Sequence, residues 1–108
     1  MTRFLGERQF ASPVRLFGNY LKEGHETRLA WEIDAQPPYS GEWYFCIYRQ
    51  GPDDIRPKFF ISADPDERAF SDYLLQPGQT ARYYITIQYP DGRESQPSNI
   101  VEVSRGNE

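Results

Sequence analysis

Leu75-Gln76-Pro77-Gly78, then Tyr83-Tyr84-Ile85-Thr86-Ile87, then Ser95-Gln96-Pro97-Ser98-Asn99-Ile100-Val101-Glu102-Val103, decide the fold class of this chain. Pro77-Gly78 is turn chemistry, because proline presets φ and glycine accepts positive φ without steric cost. Ala81, Tyr83, Ile85, Ile87 and Tyr89 alternate with Arg82, Tyr84, Thr86 and Gln88. That period of two describes a strand with one face in a core and the other toward solvent. Pro90-Asp91-Gly92-Arg93 supplies a hairpin turn, and a proline-led closing strand runs from Ser95 to Val103. A turn, a strand, a turn and a last strand form the end of a small antiparallel sandwich. The run sets the fold class and points to no chemistry.

Working outward, the same grammar repeats. Thr27, Leu29, Trp31 and Ile33 share one face of a second strand, with Arg28, Ala30 and Glu32 on the other. Glu42 to Arg49 reads as a third strand, apolar on both sides: Trp43, Phe45 and Ile47 on one, Tyr44, Cys46 and Tyr48 on the other. Ser12 to Phe17 reads as a first strand, Pro57 to Ser62 as a fourth carrying Phe59 and Phe60, and Ala69 to Leu75 as a fifth with Phe70 and either Leu74 or Leu75 inward. Gly18-Asn19 and Glu23-Gly24-His25 are turn material, and Gln36 to Gly41 is a loop. Short strands at about 8–12-residue spacing predict an all-β, seven-stranded antiparallel sandwich of the immunoglobulin-like kind. No segment sustains helical periodicity.

The 108 residues suit one domain. Aromatics make up 16% of the chain and offset a modest apolar content of 38%, since each buried ring removes about 150–250 Å² from water. Sixteen acidic and twelve basic residues leave a net charge of −4. The arginines are scattered singly, so the concentrated basic face that nucleic acid requires is absent. Cys46 is the single cysteine; no intramolecular disulfide can form, and its strand position suits packing. Met1 to Arg8 has no apolar segment of the secretory type, so a signal, if the parent protein is exported, is expected outside this chain. No run approaches the about 18 apolar residues of a membrane span.

These strands and turns, taken in order, resemble a fibronectin type III module. The likeness rests on Leu29-Ala30-Trp31, Phe45-Cys46-Ile47-Tyr48-Arg49, Phe70-Ser71-Asp72, Leu75-Gln76-Pro77-Gly78, Tyr83 with Ile85, and Ser95-Gln96-Pro97-Ser98-Asn99. It covers residues 12–104, leaving 1–11 as an N-terminal arm and 105–108 as a polar tail. One position departs: the family usually has a tyrosine three residues after the Pro-Gly glycine, and here it is Ala81. Tyr83, Tyr84 or packing alone then holds that corner. The resemblance implies a non-catalytic spacer and protein–protein interaction unit of a larger secreted or surface protein, without cofactor.

The chemistry-bearing residues agree with that expectation. His25 is the single histidine, which removes histidine-based zinc sites and triads. Asp64-Pro65-Asp66-Glu67, with Asp72 nearby, offers carboxylates to Ca²⁺ but lacks EF-hand spacing; it reads as a solvated loop, as does Asp53-Asp54. No two carboxylates are placed to flank a scissile bond. Arg105-Gly106-Asn107 lacks the terminal carboxylate of the adhesive Arg-Gly-Asp tripeptide. The sharper expectation concerns Tyr44 and Tyr48 on the outer face of the third strand and Tyr84 on that of the sixth. Neighbouring strands would unite them as a partner-contact face. Cross-strand pairing that merely stabilises the sheet is the competing use. Stacking of sugars on these rings, or on Tyr39 and Trp43, is the alternative function.

Overall fold

The computed structural model describes residues 12–34, 37 and 42–107. Seven strands form among them: β1 Val14–Leu21, β2 Glu26–Ile33, β3 Tyr44–Gln50, β4 Lys58–Ala63, β5 Ala69–Asp72, β6 Thr80–Gln88 and β7 Val101–Ser104. They pair antiparallel in two sheets, β1-β2-β5 and β4-β3-β6-β7. The expected seven-stranded antiparallel sandwich is what the chain adopts.

The core sits between the sheets and is made by the alternation in each strand. Val14, Leu16, Leu29 and Trp31 enter it from the three-stranded sheet; Phe45, Ile47, Ala81, Tyr83, Ile85, Ile87 and Val103 enter from the other. Trp31 and Trp43 both meet Phe45 edge-on, with centroids 5.5 and 5.3 Å apart. Such contacts add to the burial of the rings themselves.

Three local expectations need correction. Gly18 and Asn19 are not a turn: they lie inside β1, opposite Leu29 and Arg28. A Cβ on Gly18 would stand 2.8 Å from Leu29 Cδ2 and 3.0 Å from Val101 Cγ1, so the glycine serves close approach to the core. β5 ends at Asp72, because the Asp72 carboxylate accepts the Leu74 amide at 3.0 Å and turns the chain. Leu75 is the residue carried inward, 1% exposed, while Leu74 is 56% exposed. The closing strand starts at Val101, well after Ser95. Before it, the Ser95 and Ser98 amides donate to Ile87 O and Ile85 O, and their hydroxyls accept the Ile87 and Ile85 amides at 2.8 and 2.9 Å. Two serine side chains thereby satisfy the edge of β6 where Pro97 has no amide to offer.

The border strand β1 is also closed by a side chain. Asn99 Oδ1 accepts the Leu16 amide and Asn99 Nδ2 donates to Leu16 O, each at 2.9 Å. The N-terminal arm, Tyr39 and most of the loop before β3 lie outside the described residues.

Candidate functional site

The three tyrosines occupy the outer face of the four-stranded sheet. Register explains why: Tyr48 on β3 pairs with Tyr84 on β6, and Tyr44 pairs with Gln88. The directly opposed rings of Tyr48 and Tyr84 stack with centroids 4.7 Å apart and planes 13° from parallel. Each half-buries the other, whereas Tyr44 stays 42% exposed. The pair is thus a cross-strand ladder, and Tyr44 projects beside it on the same face.

A fourth ring extends the row. Phe59 on β4 pairs with Tyr48, meets its ring edge-on at 6.0 Å, and is 57% exposed. Phe59, Tyr48 and Tyr84 therefore run across three adjacent strands. Alternation alone does not reveal this, because a register irregularity between Ile47 and Tyr48 shifts β4. In the Phe59-Phe60 pair it sends Phe59 outward and leaves Phe60 against the core. The signal available in the sequence was the adjacency of two phenylalanines in a short edge strand, where one must face out.

Glu94 anchors the row from beyond the end of β6. Its Oε2 accepts the Tyr48 hydroxyl at 2.5 Å and the Thr86 hydroxyl at 2.6 Å. Burial pushes the Tyr48 phenol well above its ordinary range, and the bond to Glu94 raises it further. Tyr84 is raised the same way, by burial and then by the Glu94 charge. Beneath them the Cys46 thiol is buried and its pKa is raised by burial first and Glu94 second. A thiol held protonated is a poor nucleophile, so Cys46 is packing.

On the inward side of the same sheet, Asp72 of β5 gathers partners from β3 and β6. Its Oδ2 accepts Arg49 Nε at 2.6 Å and the Tyr83 hydroxyl at 2.5 Å. Tyr83, two residues beyond Ala81, thus supplies a hydroxyl that ties β6 to the end of β5. Asp72 is buried in this network and does not join Asp64, Asp66 and Glu67 as a Ca²⁺ ligand. In that acidic loop Glu67 bonds back to the Asp64 amide at 2.8 Å. Among the described residues no group of three or more His, Cys, Asp or Glu is placed to hold a metal ion. Arg105 of the Arg-Gly-Asn run is engaged as well: it donates to Leu75 O at 2.8 Å, contacts His25 Nδ1 at 3.2 Å and lies over the Tyr20 ring.

Trp43 corrects the sugar-stacking expectation. It is only 3% exposed, packed on Phe45, and presents no open ring face to a saccharide.

Neither family models nor curated proteins match this sequence. Solved structures do. An Fn3-like protein from Clostridium thermocellum superposes with a TM-score of 0.63 at 12% identity, over 83% of this chain and 86% of that one. Pectate lyase PelI from Erwinia chrysanthemi, solved with tetragalacturonic acid, matches with a TM-score of 0.65 at 17% identity over 84% of this chain. The β-1,2-glucanase from Parabacteroides distasonis matches with a TM-score of 0.64 at 20% identity over 89% of it. This chain spans 28% of that lyase and 13% of that glucanase. The fold is therefore a fibronectin type III-like β-sandwich. No helix among the described residues is long and apolar enough to cross a membrane.

Proposed function

We propose that this chain is a non-catalytic module of a larger protein, acting as a spacer and as a protein–protein contact unit. The module occupies residues 12–104, with 1–11 as an arm and 105–108 as a tail. Contact is made through the outer face of the β4-β3-β6-β7 sheet. The observation that carries this reading is the row of Phe59, Tyr48 and Tyr84 with Tyr44 beside it, aromatic surface left open on a face rimmed by polar groups. Aromatic anchors of this kind dominate contact energetics when a partner removes them from water. Tyr44 and Phe59 are the exposed anchors, and the Tyr48–Tyr84 stack gives them a rigid floor. The small share of the lyase and the glucanase that the chain matches supports a module within a larger chain.

The test compares wild type with the Tyr44→Ser/Phe59→Ser variant, immobilised in parallel against the secreted and surface proteins of the source cells. Both altered residues are exposed, so thermal unfolding should be little changed. Loss of a specific captured species supports the contact face; identical capture by both sinks it.

Carbohydrate binding is the second reading. It draws on the likeness to polysaccharide-acting enzymes and on the same open rings.

A further inference from the structure

The contact face ends, at the β3–β4 border, in a groove of about 460 Å³ lined chiefly by Glu42, Trp43, Tyr44, Phe59, Ser62 and Asp64. Its composition is uneven in sign. Glu42 and Asp64 are both exposed, and neither lysine nor arginine lines the groove. Ion pairs among the described residues use Glu26, Glu32, Asp34, Asp54, Asp72, Asp91 and Glu102, leaving these two carboxylates unpaired. The nearby cations are committed elsewhere. Lys58 pairs with Asp54 at 3.3 Å. Arg68 donates to Pro65 O and Glu67 O at 2.6 and 2.7 Å and lies over Phe45.

We infer that this groove receives a basic side chain, arginine before lysine, presented by a protein partner. The inference rests on the contact-face reading and narrows its partner to one with a basic segment. An aromatic ring attracts a cation to its face, and a carboxylate binds a guanidinium through charge-assisted hydrogen bonds. Tyr44 and Phe59 supply the first interaction; Glu42 and Asp64 supply the second. Arginine is favoured because its planar group stacks on rings and forks onto carboxylates, which an ammonium does not do. An anionic ligand is repelled by the same two carboxylates and by the net charge of −4. A neutral saccharide can donate hydroxyls to these carboxylates, but it carries no net charge for them to attract, so its binding would depend little on salt.

The test is a two-dimensional amide NMR titration of the full isotopically labelled chain. The probes are an acetylated, amidated Gly-Arg-Gly-Arg-Gly peptide, its lysine, norleucine and glutamate analogues, and the neutral tetrasaccharide cellotetraose. The arginine peptide should shift the amides of Tyr44, Phe59, Ser62 and Asp64, more strongly than the lysine peptide, and less as salt rises. Glu42→Gln/Asp64→Asn should weaken it about fivefold with an unchanged amide spectrum elsewhere. The inference is overturned if the norleucine peptide or the tetrasaccharide binds as tightly as the arginine peptide. It is also overturned if no groove amide moves by about 10 mM peptide. The parent reading is judged separately: Tyr44→Ser/Phe59→Ser capture still reports on the face if the groove shows no charge selectivity.

Discussion

Arg49 and Asp72 are joined across the gap between the two sheets, Arg49 Nε standing 2.6 Å from Asp72 Oδ2 with the two side chains 11% and 1% exposed. Arg49 belongs to β3 and Asp72 to β5, so the pair links strands that share no ladder. Asp72→Ala would strand a largely buried guanidinium beside the Phe60 and Tyr83 rings. Removing one partner of such a pair costs about 3–5 kcal/mol. Urea unfolding monitored by tryptophan fluorescence measures the loss; a change below about 1 kcal/mol would show that the pair is dispensable.

Alkaline pH should act on the same network through Tyr83. Burial, then the Asp72 hydrogen bond, pushes the Tyr83 phenol up to about 12, against 10 for the ordinary group. A group whose folded pKa is raised contributes stability that is complete below the unfolded value and lost as pH rises toward the folded one. Stability should therefore fall between about pH 10 and pH 12, by about 2–3 kcal/mol in all. Melting temperatures of wild type and Tyr83→Phe, taken from pH 8 upward, check this: the phenylalanine variant should decline less steeply. Parallel curves would remove Tyr83 from the account.

The outer face should separate structural rings from available ones. Tyr84→Ser breaks the stack on Tyr48 and should cost about 0.5–1.5 kcal/mol. Tyr44→Ser should stay within about 0.5 kcal/mol of wild type. Equal losses in chemical denaturation would mean that Tyr44 is also part of the sheet's packing.

Ser98 tests the side-chain edge of β6. Its hydroxyl accepts the Ile85 amide at 2.9 Å, and both residues are buried. Ser98→Ala leaves that amide without its acceptor, a loss of about 1–3 kcal/mol. Hydrogen exchange should show the Ile85 amide losing protection ahead of the neighbouring ladder.

Gly18→Ala probes close approach. The added methyl carbon must displace Leu29 and Val101, and overpacking of this kind costs about 1–3 kcal/mol. A neutral result would return Gly18 to the status of an ordinary strand residue.

The sandwich was legible because its signals are local and periodic. The alternation in Thr27–Ile33 and Ala81–Ile87 names the inward residues directly, and the turns carry glycine and proline. Gly18-Asn19 misled because glycine marks both turns and places where a side chain has no room, and only the Leu29 and Val101 neighbours distinguish them. The start of the last strand misled for a related reason: serine hydroxyls at 95 and 98 replace main-chain pairing, which periodicity does not register. Of the aromatic outer face, the tyrosines were legible from strand parity. Phe59 was hidden by the irregularity of β4, and Glu94 by its place in a turn, since its reach to Tyr48 spans 46 residues of sequence.

The two hydrogen bonds between Asn99 and Leu16 have a consequence for the edge of β1. Bare main-chain groups on a border strand are a template on which a foreign strand can add. A carboxamide carries the same donor and acceptor as a peptide group, so Asn99 occupies Leu16 as a second chain would, but from within. At Leu16 the edge of β1 thus has no free main-chain pair to offer an added strand.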